Sequence, residues 1–236
     1  MSRDIYPALT GASATWQQMN FISNNLSNAT TNGYKAKRVA FENHRELPGV
    51  LGDSFAMLGK QKTDTTEGTF QQDGVDTHFA IGGKGYFAVE GAGGEVLLMR
   101  AGFFQFDRQG FLVNSQGEKV LAEGGGYIRF DRDEPYFNVT RDARILDDAG
   151  GERGRFMILD SEDVEPLMGS RYRAAQTQDV VDSVELVQGA LEASNANPFR
   201  EMVEMMQATR YFESFQKAMA TSAELDQKLN QSAKRS

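Results

Sequence analysis

The sequence predicts an α+β protein in which N- and C-terminal helices pair as a coiled-coil-like bundle around a central, Gly-rich, mainly antiparallel β domain. Fifteen of the 24 glycines lie between Gly82 and Gly154, whereas only Gly11 precedes Gly33 and none follows Gly189. Glycine is unfavourable inside helices and useful in turns, so the ends are expected to be helical and the middle rich in turns. Apolar residues also repeat at helical spacing at both ends and occur in short runs between them.

The first segment has the pattern of an amphipathic helix over about residues 4–28. A polar run over residues 27–32 predicts the end of this helix, with Gly33 as the left-handed residue beyond it. Its apolar residues recur at steps of three or four and are expected to form one stripe: Ile5, Leu9, Ala12, Trp16, Met19, Ile22 and Leu26.

The last segment predicts a long helix that starts at Asn197-Pro198. Asparagine suits the N-cap, and proline fits the first helical position without losing a hydrogen bond. No Gly or Pro follows in the sequence. The apolar stripe has a spacing close to the 3.5 residues of a supercoiled seam: Met202, Met205, Thr209, Phe212, Phe215, Met219, Ser222, Leu225 and Leu229.

The middle of the chain predicts short strands, because apolar runs alternate with turn segments that carry Gly, Asn or Asp. The runs are residues 86–89, 96–99, 103–106, 111–113, 119–121, 127–130 and 156–159. The expected organisation is an N-terminal helix region (1–33) pairing with a C-terminal one (195–236), extended connectors (34–70 and 177–194) and a central β domain (71–176).

The composition of the chain argues against several classes of protein. The formal charge of −8 argues against a nucleic-acid-binding protein, because nothing basic is available to displace counterions from phosphates. Cysteine is absent, which excludes disulfides, thiolate metal sites and cysteine nucleophiles. The N-terminal residues do not have the pattern of a secretory signal peptide, and no apolar run approaches the length of a membrane span.

Residues that could carry chemistry are few and have ordinary interpretations. His44 and His78 have no ligand-spaced partners, so they are expected to be solvated surface side chains rather than metal ligands. The Gly82–Gly85 stretch is expected to be a turn entering a strand, because it lacks the phosphate-loop pattern. Asp131, Asp133 and Glu134 lack the glycine and glutamate of a calcium loop. Ser194 has no nucleophile-elbow context. Because none of these residues forms a recognisable site, neither an enzyme nor a cofactor is expected.

Three groups of motifs resemble those of flagellar axial proteins of the bacterial rod and hook family. The first is residues 22–35, ISNNLSNATTNGYK, and the second is residues 79–89, FAIGGKGYFAV, continued by RAGFF at 100–104 and DRQGFLV at 107–113. The third is QGALEASN at residues 188–195, followed by EMVEMM at 201–206 and RYFE at 210–213. The motifs occur in the order typical of that family and cover nearly the whole chain.

The resemblance implies a non-enzymatic structural subunit of the flagellar basal-body rod, which assembles by terminal-helix packing into a helical drive shaft. Within the family, the length and the single middle domain are most similar to the proximal rod members, with distal-rod and hook-type members as alternatives. A non-flagellar secreted coiled-coil binding module is a further alternative. The implied partners are neighbouring rod proteins and copies of itself, with no nucleic acid or small-molecule substrate.

The resemblance also implies a location in the basal body, in the rod within the periplasmic space, and export through the flagellar type III apparatus without a cleaved signal peptide. We expect the ends to be largely unfolded in the free monomer, because isolated helices seldom stabilise themselves. The asparagines that end the first helix have two interpretations, contacts between subunits or helix termination alone. The expected assembly interface is Ile5, Leu9, Trp16, Met19, Ile22, Asn24, Asn25, Leu26, Asn28, Leu191, Asn195, Met202, Met205, Met206, Phe212, Phe215, Met219, Leu225 and Leu229.

Overall fold

The computed structural model describes residues 5–44, 55–130, 137–161, 163–167 and 170–233. The chain divides into two compact units. Unit 1 comprises the described parts of residues 1–27, 37–62 and 197–236, and unit 2 those of residues 28–36 and 63–196.

The described elements follow one another in this order: α1 (Ile5–Ser27), β1 (Lys37–His44), β2 (Phe55–Thr63), β3 (Phe70–Gln72), β4 (His78–Gly82), β5 (Tyr86–Glu90), β6 (Val96–Met99), β7 (Gly102–Phe103), β8 (Gln105–Phe106), β9 (Leu112–Val113), β10 (Phe137–Val139), β11 (Arg144–Asp147), β12 (Glu152–Arg155), β13 (Ile158–Asp160), β14 (Val164–Pro166), β15 (Arg171–Ala174), β16 (Gln178–Asp179), a 3₁₀ turn (Val181–Ser183), β17 (Glu185–Gln188), β18 (Ala190–Glu192) and α2 (Pro198–Ala233).

Unit 1 is built from the two terminal helices, which pack against each other, and from the two-stranded sheet of β1 and β2. The predicted start of α2 is confirmed. The Asn197 Oδ1 accepts hydrogen bonds from the backbone N–H groups of Phe199 (3.0 Å) and Arg200 (3.3 Å), as an N-cap side chain does. The predicted end of α1 is also confirmed, since the helix stops at Ser27 and Gly33 has φ +68°.

Unit 2 contains the remaining strands in several small sheets. The largest has the strand order β14-β15-β6-β5-β13-β16, and a three-stranded sheet has the order β17-β4-β7. A second three-stranded sheet joins β10, β11 and β12, and two-stranded pairs join β18 to β3 and β8 to β9. The described pairings of unit 2 are antiparallel, as predicted, both between strands joined by short turns, such as β5 and β6, and between strands distant in sequence, such as β4 and β17.

The main core of unit 2 is rich in phenylalanine. Phe87 packs edge-on against Phe104, with ring centroids 5.2 Å apart, and Phe79 lies 5.1 Å from Phe156. Aliphatic side chains of the neighbouring strands complete this core. A smaller cluster forms around Tyr86 and Tyr172, whose ring centroids are 5.4 Å apart.

Most of the predicted strand runs form strands, but three of them differ in detail. The run 103–106 is divided into β7 and β8 at Phe104, whose side chain is fully buried in the core. The runs 119–121 and 127–130 pair only through isolated bridges. The structure also places β1, β2, β16, β17 and β18 in the segments that the sequence predicts as connectors.

Candidate assembly site

The helices of unit 1 bury residues at alternating steps of four and three, the 3.5-residue repeat of a coiled-coil seam. On α1 the buried and half-buried positions with this repeat are Ala8, Gly11, Thr15, Gln18, Ile22 and Asn25. On α2 they are Glu201, Met205, Ala208, Phe212, Phe215, Met219 and Ser222. The seam of α1 therefore consists mainly of small and polar side chains, and Ile22 is the one large apolar residue of the predicted stripe among these positions.

Gly11 allows the two helices to approach closely. A Cβ atom on this residue would lie 2.5 Å from Cζ of Phe215, so the Phe215 ring would have to move to admit a side chain there. Further along the pair, Asn25 of α1 reaches Glu201 of α2. The same number of residues separates the two contacts on each helix, and they run in opposite directions. The helices are therefore antiparallel.

The polar end of the seam is a buried hydrogen-bond network. Asn25 Nδ2 donates to the backbone oxygen of Lys37 (3.0 Å) and to Glu201 Oε2 (3.3 Å), and its Oδ1 accepts from the Lys37 N–H (2.9 Å). Arg38 lies 3.4 Å from the other oxygen of Glu201. The Glu201 side chain is fully buried, and this burial raises its pKa, while the hydrogen bond from Asn25 acts in the opposite direction.

The sides of α1 and α2 that face away from the seam carry large apolar side chains in contact with solvent. On α2, the first turns expose Phe199, Met202, Val203 and Met206, spaced so that they fall on one side of a helix. At about 100° per residue, this side lies opposite the seam. On α1, Leu9 and Trp16 are two turns apart and also exposed, on the side of that helix that faces away from the seam. The α1 and α2 residues therefore lie on opposite sides of the helix pair. We call the six residues together the outer apolar face.

The predicted interface residues fall into different environments. Ile22 and Asn25 are buried in unit 1, and Leu191 is buried in unit 2. The half-buried ones are Met19, Leu26, Met205, Phe212, Phe215 and Met219 in unit 1 and Asn28 and Asn195 in unit 2. The exposed ones are Leu9, Trp16, Asn24, Met202, Met206 and Leu225. The side chains of Ile5 and Leu229 lie outside the described ones.

In unit 2, residues from the three motif groups meet around one buried carboxylate. Glu192 Oε1 accepts hydrogen bonds from Lys35 Nζ (2.8 Å) and the Gly68 N–H (2.7 Å), and Oε2 accepts one from Arg100 Nε. We call Lys35, Arg100 and Glu192 the buried charge cluster. Desolvation lowers the pKa of Lys35, and the charge of Glu192 opposes this effect.

Sequence reasoning did not single out these three charged residues. Their partners are far apart along the chain, and periodicity reports only neighbours on one element. The available signal was their position inside the motifs, since Lys35 ends the first one, Arg100 opens part of the second and Glu192 lies in the third. Glu201 opens the EMVEMM motif, but the motif does not predict that its side chain is buried.

The prediction that His78 is a solvated surface side chain is wrong. His78 is buried, and its Nδ1 lies 2.5 Å from Asp73 Oδ2. Its ring contacts that of Phe103 in a tilted arrangement, with ring centroids 4.6 Å apart. The hydrogen bond from His78 is the main reason why the pKa of Asp73 is lowered. Strand pairing causes this burial, because His78 and Phe103 are opposite residues of β4 and β7. Such a pairing between distant segments leaves no local pattern.

The turn between β4 and β5 is confirmed as a strand entry. Its carbonyl groups face the Arg100 guanidinium, which donates to the backbone oxygens of Ile81 (2.5 Å), Gly83 (2.9 Å) and Gly85. An array of acceptors suits a cation rather than a phosphate. The acidic residues 131, 133 and 134 lie outside the described part of the chain, as does the His44 side chain.

Two further properties concern the described residues. They contain no group of three or more His, Asp or Glu side chains arranged to hold a metal ion. Neither of the helices described here combines the length and the apolar character needed to cross a bilayer.

Comparison with known proteins gives three family matches in the order of the motifs. Residues 5–35 match the family "Flagella basal body rod protein", residues 80–147 the "Flagellar hook protein FlgE/F/G D1 domain", and residues 187–232 the "Flagellar basal body rod FlgEFG protein C-terminal". The matched ranges contain α1, part of the core of unit 2 and most of α2.

Similar proteins include rod and hook proteins. The flagellar basal-body rod protein FlgF of Rhizobium meliloti is 31% identical over 91% of this chain and 90% of its own length. FlgG of Buchnera aphidicola from Acyrthosiphon pisum is 28% identical over 98% of this chain and all of its own length. The hook protein FlgE of Brucella abortus is 33% identical over 68% of this chain and 42% of its own length.

The FlgF and FlgG identities are close to each other, so both rod proteins support the same assignment. The matches extend over both helices and the β region and favour the flagellar hypothesis over a non-flagellar binding module. The chain therefore belongs to the FlgE/F/G family of flagellar rod and hook proteins, and it is a structural, non-enzymatic protein of the flagellar basal-body rod.

Proposed function

We propose that this protein assembles into the rod through its terminal helices, with copies of itself and neighbouring rod proteins covering the outer apolar face. The observation that carries the proposal is this face: four large apolar side chains of α2 and two of α1 remain in contact with solvent on the sides of the helices that face away from the seam. Exposed apolar side chains that cluster on one side of a helix are typical of protein–protein contact sites.

The arrangement favours an open helical assembly. Contacts between different surfaces of successive subunits are heterologous, and they build a helix where the rotation does not close a ring. Met202 and Met206 have flexible side chains, which fit neighbours in slightly different environments. We further propose a proximal rod position, supported by the length of the chain and the match to FlgF, with a distal position as the alternative.

The route to this site would be the flagellar type III export apparatus, without cleavage of a signal peptide, and the destination the rod within the periplasmic space. An uncovered apolar face favours helices that open readily before assembly. We therefore expect the amides of α1 and α2 to exchange with solvent faster in the free monomer than those of β5 and β6. Strong protection of both helices would instead favour a module that is fully folded on its own.

The test replaces the methionines of the outer apolar face with charged residues, as the double substitution Met202→Lys and Met206→Lys. The matched control adds the same two charges at exposed glutamines of the same helix, as Gln207→Lys and Gln216→Lys. Each gene is returned to a strain that lacks its own copy. We expect the control to restore swimming and the methionine variant to fail, with equal amounts of exported protein. Normal swimming by the methionine variant would contradict the proposal.

Trp16 provides a second readout in vitro. It is the only tryptophan of the chain, and it is exposed on the outer apolar face. Covering this face during assembly would shift its fluorescence emission to shorter wavelength. Emission that stays unchanged in assembled rods would place Trp16 outside the interface.

A further inference from the structure

The buried charge cluster joins three parts of unit 2 that are distant in sequence. Lys35 lies in the segment 28–36, which we call the strap, Arg100 follows β6, and Glu192 is the last residue of β18. The side chains of Lys35, Glu192 and Arg100 are 2%, 1% and 2% exposed. Two cations and one anion are thus enclosed away from water.

The side chains of the buried charge cluster have their hydrogen-bond partners within unit 2. Lys35 Nζ also donates to the backbone oxygen of Thr66 at 2.7 Å, and Arg100 donates to carbonyl groups of the β4–β5 turn. Among the described residues, no buried side-chain nitrogen or oxygen lacks a hydrogen-bond partner. The cluster therefore has a structural role and is not an empty ligand site.

Stability alone is a weak reason for burying these charges. Removing charged groups from water is costly, and apolar replacements of similar volume are often as stable or more stable. Buried charges can instead select one alignment, because any other alignment leaves a charge without its partner. Lys35 reaches Glu192 only when the strap lies in its observed position, and a shift along the chain would separate the ammonium group from Glu192 and from the backbone oxygen of Thr66.

Backbone hydrogen bonds hold the strap in the same alignment as the buried charge cluster does. The Gly33 N–H donates to the backbone oxygen of Glu192 (2.7 Å), the Asn195 N–H donates to that of Tyr34 (3.3 Å), and the Ala36 N–H donates to Asn195 Oδ1 (2.7 Å). Gly33 has φ +68°, and a Cβ atom there would lie 2.3 Å from the backbone nitrogen of Ala101. A side chain would therefore prevent this seating of the strap.

We propose that the buried charge cluster is a register lock, which holds the strap against residues 189–196 in a single alignment. The strap follows α1, and residue 196 directly precedes the N-cap of α2. The lock thereby fixes the two points at which the chain leaves unit 2 toward the terminal helices. It is a property of the monomer, so its test is independent of the assembly proposed above.

The experiment uses the full-length protein with three substitutions. Lys35→Met leaves the Arg100–Glu192 pair electrically neutral, so we expect a urea midpoint close to that of the wild type. The amides of Gly33 and Ala36, however, should exchange at least tenfold faster, because the strap no longer has one preferred alignment. Glu192→Gln leaves two buried cations without their anion and should lower the midpoint strongly. Combining it with Lys35→Met should recover at least half of that loss.

The matched control is Glu95→Gln, which removes one carboxylate from an exposed ion pair with Arg173 in the same unit. It should change neither the midpoint nor the exchange of the strap amides. The register lock is refuted if Lys35→Met leaves the exchange of Gly33 and Ala36 at the wild-type rate. It is also refuted if the double variant restores wild-type exchange together with the midpoint, since the cluster would then serve stability alone.

Discussion

Asn25 and Lys37 exchange two hydrogen bonds, one in each direction, between the last turns of α1 and the first residue of β1. The Asn25 side chain donates to the Lys37 carbonyl at 3.0 Å and accepts from the Lys37 N–H at 2.9 Å. A primary amide carries one acceptor and a donor side by side, so it pairs with a peptide group as a neighbouring strand would. Both groups are thereby satisfied at a site from which water is largely excluded.

Replacing Asn25 by alanine should destabilise unit 1. The substitution removes the partners of the Lys37 backbone and one of the partners of Glu201, and leaving buried polar groups unpaired costs about 1–3 kcal/mol each. The free energy of unfolding should fall by at least about 2 kcal/mol, measured by urea denaturation of the helices. Asn20→Ala, at an exposed position of α1, is the control and should change stability little. Equal effects of the two substitutions would contradict this role.

The pH dependence of stability should carry a contribution from Glu201. Burial raises the folded-state pKa of this carboxyl above the ordinary value of 4.5. Its contribution to stability is therefore fully present below pH 4.5 and is lost as the pH rises through the folded-state pKa. Glu201→Gln should remove this loss, so that the variant gains stability relative to the wild type between pH 4 and pH 7. Glu213→Gln, at an exposed site of α2, is the control. If the free energies of unfolding of Glu201→Gln and the wild type differed by the same amount at every pH in this range, the raised pKa of Glu201 would be contradicted.

Adding a methyl group at Gly11 should weaken the helix pair, although alanine is the better helix former by about 1 kcal/mol. The added Cβ atom would overlap the ring of Phe215. Overpacking of this kind costs about 1–3 kcal/mol. Gly11→Ala combined with Phe215→Leu should therefore be less destabilising than the sum of the two single changes, as measured in a double-mutant cycle by urea denaturation. Additive effects would show that the two residues are not in contact.

Two buried tyrosines should resist ionisation at high pH. Burial raises the pKa of Tyr86 to about 12, and it also raises the pKa of Tyr172. Since both folded-state pKa values lie above the ordinary value of 10, their contribution to stability is present below pH 10 and is lost as the pH rises toward 12. Phenolate absorbance should show that Tyr86→Phe removes absorbance gained near pH 12, and Tyr211→Phe, at an exposed site, is the control. Loss of absorbance gained near pH 10 in Tyr86→Phe would contradict the described burial.

Local signals in the sequence were sufficient to predict the helices. The Asn197-Pro198 pair predicts the start of α2, because capping and the conformation of proline depend only on adjacent residues. The glycine-rich turns likewise predict the antiparallel strands of unit 2. Sequence periodicity could not show which side of each helix is covered. Trp16 and Met202 belong to the predicted stripes, but the structure exposes both, while the small Gly11 and the charged Glu201 lie in the seam.

The candidate site was harder to predict, because its important contacts join distant segments. In the sequence, Lys35 and Glu192 are two charged residues with no pattern that links them, and only the folded strap brings them together. His78 is likewise buried by pairing with Phe103. Such contacts depend on tertiary structure. The motifs nevertheless contain the residues that meet in the buried charge cluster, so family resemblance identified the right segments without identifying the contacts.

The most direct test of the central claim is electron cryotomography of basal bodies in a strain with an in-frame deletion of this gene. A rod subunit predicts that the rod stops short and that flagella are absent. The full-length gene should restore both, whereas a gene ending at Asn195, which lacks α2, should not. Complete rods and normal flagella in the deletion strain would contradict the assignment of this chain as a structural subunit of the rod.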